Sequence, residues 1–584
     1  MPAVNTKEQV VTVWDVSRIQ QLEKEIAEVE TIRSGIREMV AKFLMEQDIW
    51  HISDIDYLVR KRFEYSFDQN TPKHIKYLCI AALDKLKQHA LNESGKTLSG
   101  RRANQWKYED KIFYIPYYPD EEIQKVFCRV HNKPNMVWDF SISCHRTLKK
   151  QIFLILNEII KMGEASRLRE NRLTGLNYLY QYCVERNVSD LERMEQDQIL
   201  GFNNYLVSKV NNPQKIVKMA GILDFGRKQI FLEGKEIHWY ANIWYLERFH
   251  FWDEKVNISD PIKRISFLDV SNKENRELLK AYMKYELGVS EDTVSIAIEK
   301  FYCIRDFLME LSKQNCSVLE CSKLKMQEYL KGLQEKTLAA KTFNAYISRI
   351  THFYNVLAVH GYPVKLPFEP AYYMKKEIPV HHDRSVPAQI SQEIMGKLRY
   401  FPEHLRIMFL HLWGLGLRIS EVCAIKGNAY YRQGEDAWIQ IYQTKMKQYK
   451  RIPIPEALYQ IVMVYMKRND IGPDDFLFQN QEGSAYSSNT FMWQMKKCCE
   501  EVQIQNGIYL FRSHDYRHTV ATFFYDEHVS MQAIRDYLGH ENEEMTRQYI
   551  DYMPYKIAKA NDEFFQKKGN SLLSMVRERK SHGK

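Results

Sequence analysis

The sequence predicts a mainly α-helical, multidomain chain with one small antiparallel β-sheet in its last third. Three observations carry this. Apolar residues recur at three- and four-residue steps along most of the 584 residues, the period of helices with one buried face. At one place the period becomes two, where Ala437 to Tyr442 and Lys450 to Ile454 flank a polar, basic tip, Thr444 to Tyr449, as in a hairpin. A stretch without periodicity, Glu369 to Gln389, has three prolines and separates two regular regions, and the length suits three or four domains.

In chain order, Val16 to Gln47 reads as one helix lying on its own domain, with Ile19, Leu22, Ile26 and Val29 on the apolar face and Gly35 weakening its middle. Ile75 to Ala90 is helical, and Lys111 to Tyr117 is a candidate strand. Leu173 to Lys209 is helical with a break at Asn187 to Asp190. Glu299 to Leu311, a break at Lys313 to Ser317, and Leu324 to Leu330 give helix, turn, helix again. The two breaks read NVSDLE and NCSVLE, either a diverged repeat of one module or a chance match of a short string. Ser290 and Thr293 open a helix. Thr337 to Val359 is another, with Lys341, Arg349 and His352 on its polar positions, and these helices make a compact bundle. The linker is basic through Lys375, Lys376, His381, His382 and Arg384. Ser391 to Trp413 is helical and ends at Gly414-Leu415-Gly416, Ala457 to Phe565 is mostly helical, and Arg577 to Lys584 is a short basic tail.

Composition narrows the function classes. A net charge of +9, from 83 basic and 74 acidic side chains, favours a polyanionic partner without requiring one. The ten cysteines contain no CxxC pair, so a reducing compartment is expected rather than a disulfide framework. Met1 to Asp15 has no apolar leader core and no run of 18 apolar residues occurs, so neither secretion nor a membrane span is expected and the location reads as cytoplasmic. Cys128, His131, Cys144 and His145 have the donor types of a zinc site. The adjacent Cys144-His145 pair is poor ligand spacing, so ordinary packing is the expected reading, and no metal or other cofactor is implied.

Five pieces in the last third carry chemistry. GLGLRISEV puts Arg418 at the start of a helix, the hairpin IQIYQTKMKQYKRIPIP carries Lys445 with Lys447 and Lys450 nearby, SHDYRHTVATFF holds His514 and Arg517, YLGHENEEMTRQYI holds His540 and Tyr549, and a helical tail runs from Tyr555 to Lys568. A phosphodiester under attack gains charge on its non-bridging oxygens, which two guanidiniums can clamp. A nucleophile must reach phosphorus in line, and an acid must protonate the leaving oxygen. His514 and Arg517, three apart, share a helix face. Gly539 supplies a turn that can aim His540 back at that face, and the nine residues to Tyr549 suit a short helix carrying a phenol. Each piece alone is weak, since a His-x-x-Arg pair is usually a solvated face. The order and spacing together carry the weight.

This set resembles the tyrosine recombinase, or phage integrase, family. GLRISE matches the family's G-[LMT]-R-x-[SG]-E context for Arg418. Lys445 stands eight residues before Pro453, like the family's hairpin lysine. HDYRH matches the H-x-L-R-H box with Tyr516 for the usual leucine, a position that packs rather than reacts. Leu538-Gly539-His540 matches the L-G-H box, and the family's nucleophile spacing selects Tyr549. The resemblance implies 285–372 as a SAM-like core-binding helical domain and 385–570 as the catalytic domain, together a C-shaped clamp on duplex DNA. It leaves 1–135 as a mostly helical region of unknown role, 136–270 as a helical region read as an extra module for DNA or protein contact, and 571–584 as a basic tail. By the resemblance, Tyr549 attacks the scissile phosphate to leave a 3′-phosphotyrosine, Arg418 and Arg517 hold the phosphate, Lys445 protonates the 5′ oxygen, His514 assists proton transfer and His540 hydrogen-bonds the phosphate. It also implies a homotetramer on two DNA sites that exchanges helices drawn from 556–568, at home in the nucleoid. The long N-terminal region, with WDFSISCHRTLKKQIFLILNEI, resembles large transposon-encoded integrases, which implies integration and excision of a mobile element, with partner transposition proteins compatible. Two alternatives use overlapping parts. A type IB topoisomerase would relax supercoils without paired sites, and a non-catalytic DNA-binding accessory protein would lack the full residue set.

Overall fold

The computed structural model describes residues 13–127, 133–378, 384–443, 446, 448–547, 561–564 and 566. The chain divides into two units, Met1–Arg248 and Phe249–Lys584.

In the first unit, α1 (Val13–Ala27) and α2 (Ser34–Glu46) replace the single helix expected over 16–47. The backbone leaves helical geometry between them because Val29 and Ile32 turn inward and are buried. With α3 (Tyr57–Tyr65) and α4 (Lys73–Gly95) they enclose a core of Leu22, Leu44, Val59, Leu83 and Leu86. After α5 (Leu98–Ala103), the expected strand 111–117 is shorter than read. β1 (Ile112–Tyr114) pairs antiparallel with β2 (Val137–Asp139), while Ile115–Tyr117 coils into a 3₁₀ turn at Pro116, which has no N–H to give a ladder.

α6 (Glu121–Phe127) lies between those strands. Four helices then share one core: α7 (Arg146–Lys161), α8 (Ser166–Glu185), α9 (Gln196–Lys209) and α10 (Pro213–Glu233), packed around Ile152, Leu156, Leu176, Leu179, Phe202 and Leu206. The break read at Asn187 to Asp190 is present. Asn187 has φ 52°, and the Asp190 carboxylate accepts from the Glu192 N–H. Asparagine tolerates that left-handed geometry and aspartate is a good turn cap. β3 (Ile243–Tyr245) closes the unit.

The second unit holds β4 (Arg264–Ser266) and a further set of four helices, α11 (Lys273–Gly288), α12 (Val294–Lys313), α13 (Lys323–Glu335) and α14 (Ala340–Val359). The helix opening at Ser290 and Thr293 is capped by Thr293, whose hydroxyl accepts from the Ile296 N–H. Residues 249–270, grouped by sequence with 136–270, fall in this second unit; Asp260, for instance, accepts hydrogen bonds from Ser487 and Ser488. Among its described residues before Ala388 the linker is irregular apart from a 3₁₀ turn at Pro370–Tyr372, and its His381 and His382 lie outside the described residues.

α15 (Ala388–Lys397) and α16 (Glu403–Leu415) divide the single helix expected over 391–413. Pro402 forces the division, because the residue before a proline is driven out of helical geometry, and Phe401 is extended. Then follow α17 (Ile419–Cys423) and the strands β5 (Tyr430–Gln433), β6 (Asp436–Gln443) and β7 (Gln448–Pro453), antiparallel in that order. β5 was not anticipated. Then come α18 (Glu456–Arg468), α19 (Ser488–Glu501), α20 (Ser513–Asp526), α21 (Met531–Leu538) and α22 (Glu543–Arg547). Residues 469–487 are irregular, so this region is less helical than read. Tyr516, fully buried, packs on Phe409 and Phe511 and shares a hydrogen bond with the Tyr509 hydroxyl.

Candidate active site

The site assembles around one carboxylate. Glu421 sits in the single turn of α17, three residues after Arg418, and is almost wholly buried. Its Oε2 accepts from the Arg418 backbone N–H at 3.0 Å, and its Oε1 from the Arg418 guanidinium at 2.8 Å and from Gln443 Nε2 at 2.9 Å. Lys450 Nζ lies 3.4 Å from Oε2. Register explains how Gln443 and Lys450 arrive. Lys450 pairs with Ile441 and shares an inward face with Ile452, and Gln443 is inward two places after Ile441.

Arg517 projects from α20 and is completely buried. Its guanidinium donates to the Gly416 carbonyl at 2.9 Å and to the Leu538 carbonyl at 2.5 Å. Gln443 also donates to Leu538, at 3.3 Å. Gly416 and Gly539 both take left-handed geometry, φ 61° and 67°, as the residues ending α16 and α21. Gly539 has no room for a side chain, and Gly416 has little. A Cβ on Gly539 would stand 2.1 Å from Gln443 Oε1, and one on Gly416 would stand 3.1 Å from the Val520 Cβ. The tight turn at Gly539 carries the chain to His540, which is buried with Nδ1 3.0 Å from the Thr546 hydroxyl. The end of the linker is fastened to α20 by the Val386 N–H, which donates to the Thr519 hydroxyl at 2.8 Å.

Electrostatics follow from this crowding. Burial alone would raise the Glu421 carboxyl, but Lys450, Arg517 and Arg418, with the Gln443 hydrogen bond, hold it down at about 2. Burial pushes the Lys450 ammonium down to about 8, with Glu421 opposing and Arg517 and Arg418 adding to the effect. Burial, then Arg517, Arg418 and Lys450, push His540 down to about 2. The exposed His514 is held below the ordinary imidazole range by desolvation of part of its ring and by His518, Arg517, Arg418 and Arg384. Near neutral pH three cations therefore face one carboxylate, with both imidazoles neutral. Such a surplus is balanced by an anion such as a phosphodiester.

A pH prediction follows. The unfolded chain protonates its histidines near 6.5, well before the folded His540 does, so stability falls as pH drops below 6.5. Glu421 acts in the same direction, because the stability present above its ordinary 4.5 is lost as pH falls toward 2. We expect His540 alone to cost about 2 kcal/mol between pH 6.5 and 4.5. Melting curves across that range check this, with His540→Gln flattening the dependence. An equal slope in both proteins would refute it.

Arg418, His514, Arg517 and His540 are thus brought together, whereas Lys445 and Tyr549 lie outside the described residues. Of the segment 556–568, only 561–564 and 566 are described, in helical geometry, and the tail 571–584 is outside. Cys128 and His131 are also outside, and Cys144 lies 3.8 Å from the Tyr180 hydroxyl. Sequence reasoning did not assign roles to Glu421, Gln443 and Lys450. The available signals were the three-residue step from Arg418 and the two-residue period of the hairpin.

Residues 386–554 match the model of the phage integrase family. Transposase B from transposon Tn554 of Staphylococcus aureus (strain Mu50 / ATCC 700699) is 26% identical over 348 residues, which are 58% of this chain and 54% of that protein. The tyrosine recombinase XerD of the same strain is 22% identical over 306 residues, 49% of this chain and 98% of XerD. The chain spans about half the length of the Tn554 transposases it matches. A solved structure of the Tn1549 transposon integrase in complex with transposon right end DNA superposes with a TM-score of 0.38 and 18% identity, covering 49% of this chain and 98% of that one. No described helix is long and apolar enough to cross a membrane. Arg418, His514, Arg517 and His540 all fall inside residues 386–554, the span that matches the phage integrase family.

Proposed function

We propose that the chain is a site-specific DNA recombinase of a mobile element, cutting and rejoining duplex DNA through Tyr549. The observation that supports it most is the set of three cations, Arg418, Arg517 and Lys450, held around Glu421 within the span that matches the phage integrase family. In this reading the Tyr549 oxygen attacks phosphorus, a tyrosine–phosphorus bond forms, and the bond from phosphorus to the 5′ oxygen breaks. The phosphate stays on the enzyme through its 3′ side, so bond energy is kept for rejoining without a nucleotide or metal ion. Arg418 and Arg517 offset the charge that grows on the non-bridging oxygens. Lys445 gives its proton to the departing 5′ oxygen, His514 assists that transfer, and neutral His540 donates to the phosphate. Lys450 holds Glu421 in place. The protein is proposed to work as a tetramer on two DNA sites, exchanging helices from 556–568, with transposition proteins as further partners.

Capturing the Tyr549–DNA adduct on genomic fragments and sequencing the attached strand tests the reading and identifies the target. Tyr549→Phe is expected to form no covalent adduct while still binding duplex DNA. An adduct retained by that variant would overturn the nucleophile.

A further inference from the structure

The two units each contain the same string of elements. Val137 and Arg264 open β2 and β4, Arg146 and Lys273 open α7 and α11, Gln196 and Lys323 open α9 and α13, and Pro213 and Ala340 open α10 and α14, every pair 127 residues apart. The first helices are 16 residues each, the second 20 each, the third 14 and 13, and the fourth 21 and 20. Internal detail agrees. Asn187 and Asn315 end the second helices with φ 52° and 49°. Asp190 and Ser317, also 127 apart, cap the following turns by accepting from Glu192 N–H and Leu319 N–H. In both, an amide from the first helix fastens that turn: Gln151 accepts from the Leu191 N–H at 2.9 Å, and Asn275 from the Val318 N–H at 2.8 Å. Phe140 and Phe267 are wholly buried at equivalent places. Length, register and turn chemistry recur together, which the six-letter likeness of NVSDLE and NCSVLE alone did not establish.

From the end of the third helix into the fourth, both copies also share a charge pattern. Residues 209–223 contain no Asp or Glu, and neither do the equivalent residues 336–350. With 74 carboxylates in 584 residues, a 15-residue stretch holds about two on average. In the first copy this stretch carries Lys209, Lys215 and Lys218, all exposed and in no ion pair among the described residues. In the second it carries Lys336, at the place equivalent to Lys209, and Lys341, both exposed. Folding does not require such a face. Lysines without carboxylates repel one another until an anion arrives.

We infer that residues 137–233 are a second copy of the core-binding module and that Lys209, Lys215 and Lys218 bind the phosphate backbone of duplex DNA. The inference rests on the recombinase reading, in which the copy at 264–359 meets DNA. Backbone contacts of this kind position a protein without reading sequence, so the first copy lengthens the stretch of duplex held by one chain.

The test uses the full chain and a labelled duplex of mixed sequence. Binding is measured from about 50 to 200 mM salt, where each phosphate contact adds about 0.9 to the slope of log affinity against log salt. Lys209→Glu/Lys215→Glu/Lys218→Glu is expected to lower that slope by about 2 to 3 and to shorten the hydroxyl-radical footprint. The control Lys24→Glu/Lys42→Glu/Lys73→Glu changes three exposed lysines elsewhere in the first unit and is expected to change neither. An unchanged slope in the first variant, or an equal fall in the control, overturns the inference. Adduct capture by the unaltered chain reports separately on the recombinase reading. An adduct with an unchanged slope refutes only the second module, and a lowered slope without an adduct refutes only the recombinase.

Discussion

Replacing Arg517 with alanine is expected to lower strand cleavage by about three orders of magnitude and to destabilise the second unit by about 3–5 kcal/mol. Two effects add. The guanidinium is a clamp for a transition-state oxygen in the proposed chemistry. It is also the donor to the carbonyls of Gly416 and Leu538, which the truncation would leave buried without that bond. Arg517→Lys separates the effects, because it keeps a charge but cannot reach two carbonyls with a rigid fork. Its melting temperature should recover in part while cleavage stays low. Denaturant melts beside single-turnover cleavage on a captured target check this. Arg517→Ala with full cleavage would refute the role of the residue.

Glu421→Gln should be nearly as harmful to stability, although it changes one atom. The side chain keeps its size and its capping place, but Arg418, Lys450 and Arg517 lose the anion that they surround. Breaking a buried ion network from one side typically costs about 3–5 kcal/mol. Bound DNA would supply negative charge to the same cations, so the variant should be stabilised more by duplex than the unaltered protein is. Adding Lys450→Met to Glu421→Gln removes one stranded cation and should restore part of the loss. Equal melting temperatures for Glu421→Gln and the unaltered protein would show that the network contributes nothing.

Much of this was legible because local rules coincide with the site. The helix face shared by His514 and Arg517, the glycine turn before His540, and the hairpin all follow from short-range spacing. What was not legible depends on long-range placement. Glu421 stands inside the motif that selects Arg418, yet only the approach of β6 and β7 shows that it neutralises Lys450 and accepts from Gln443. β5 has no periodicity of its own beyond four residues, and its register against β6 is what makes it a strand. The helix read over 391–413 broke at a proline that periodicity alone passes over. The repeat lay hidden for a related reason. Its two copies keep length, caps and turn geometry while exchanging nearly every core side chain, so letters diverged where backbone did not.

The Leu538 carbonyl receives both Arg517 and Gln443, and this bears on how the protein is made. During synthesis from the N-terminus, Arg418, Gln443 and Lys450 leave the ribosome well before Leu538 does. Until then Arg517 lacks one of its two acceptors, and the hairpin lacks its tie to α21. A nascent chain therefore carries its cations without the frame that aims them, and that frame closes only once translation has passed residue 538.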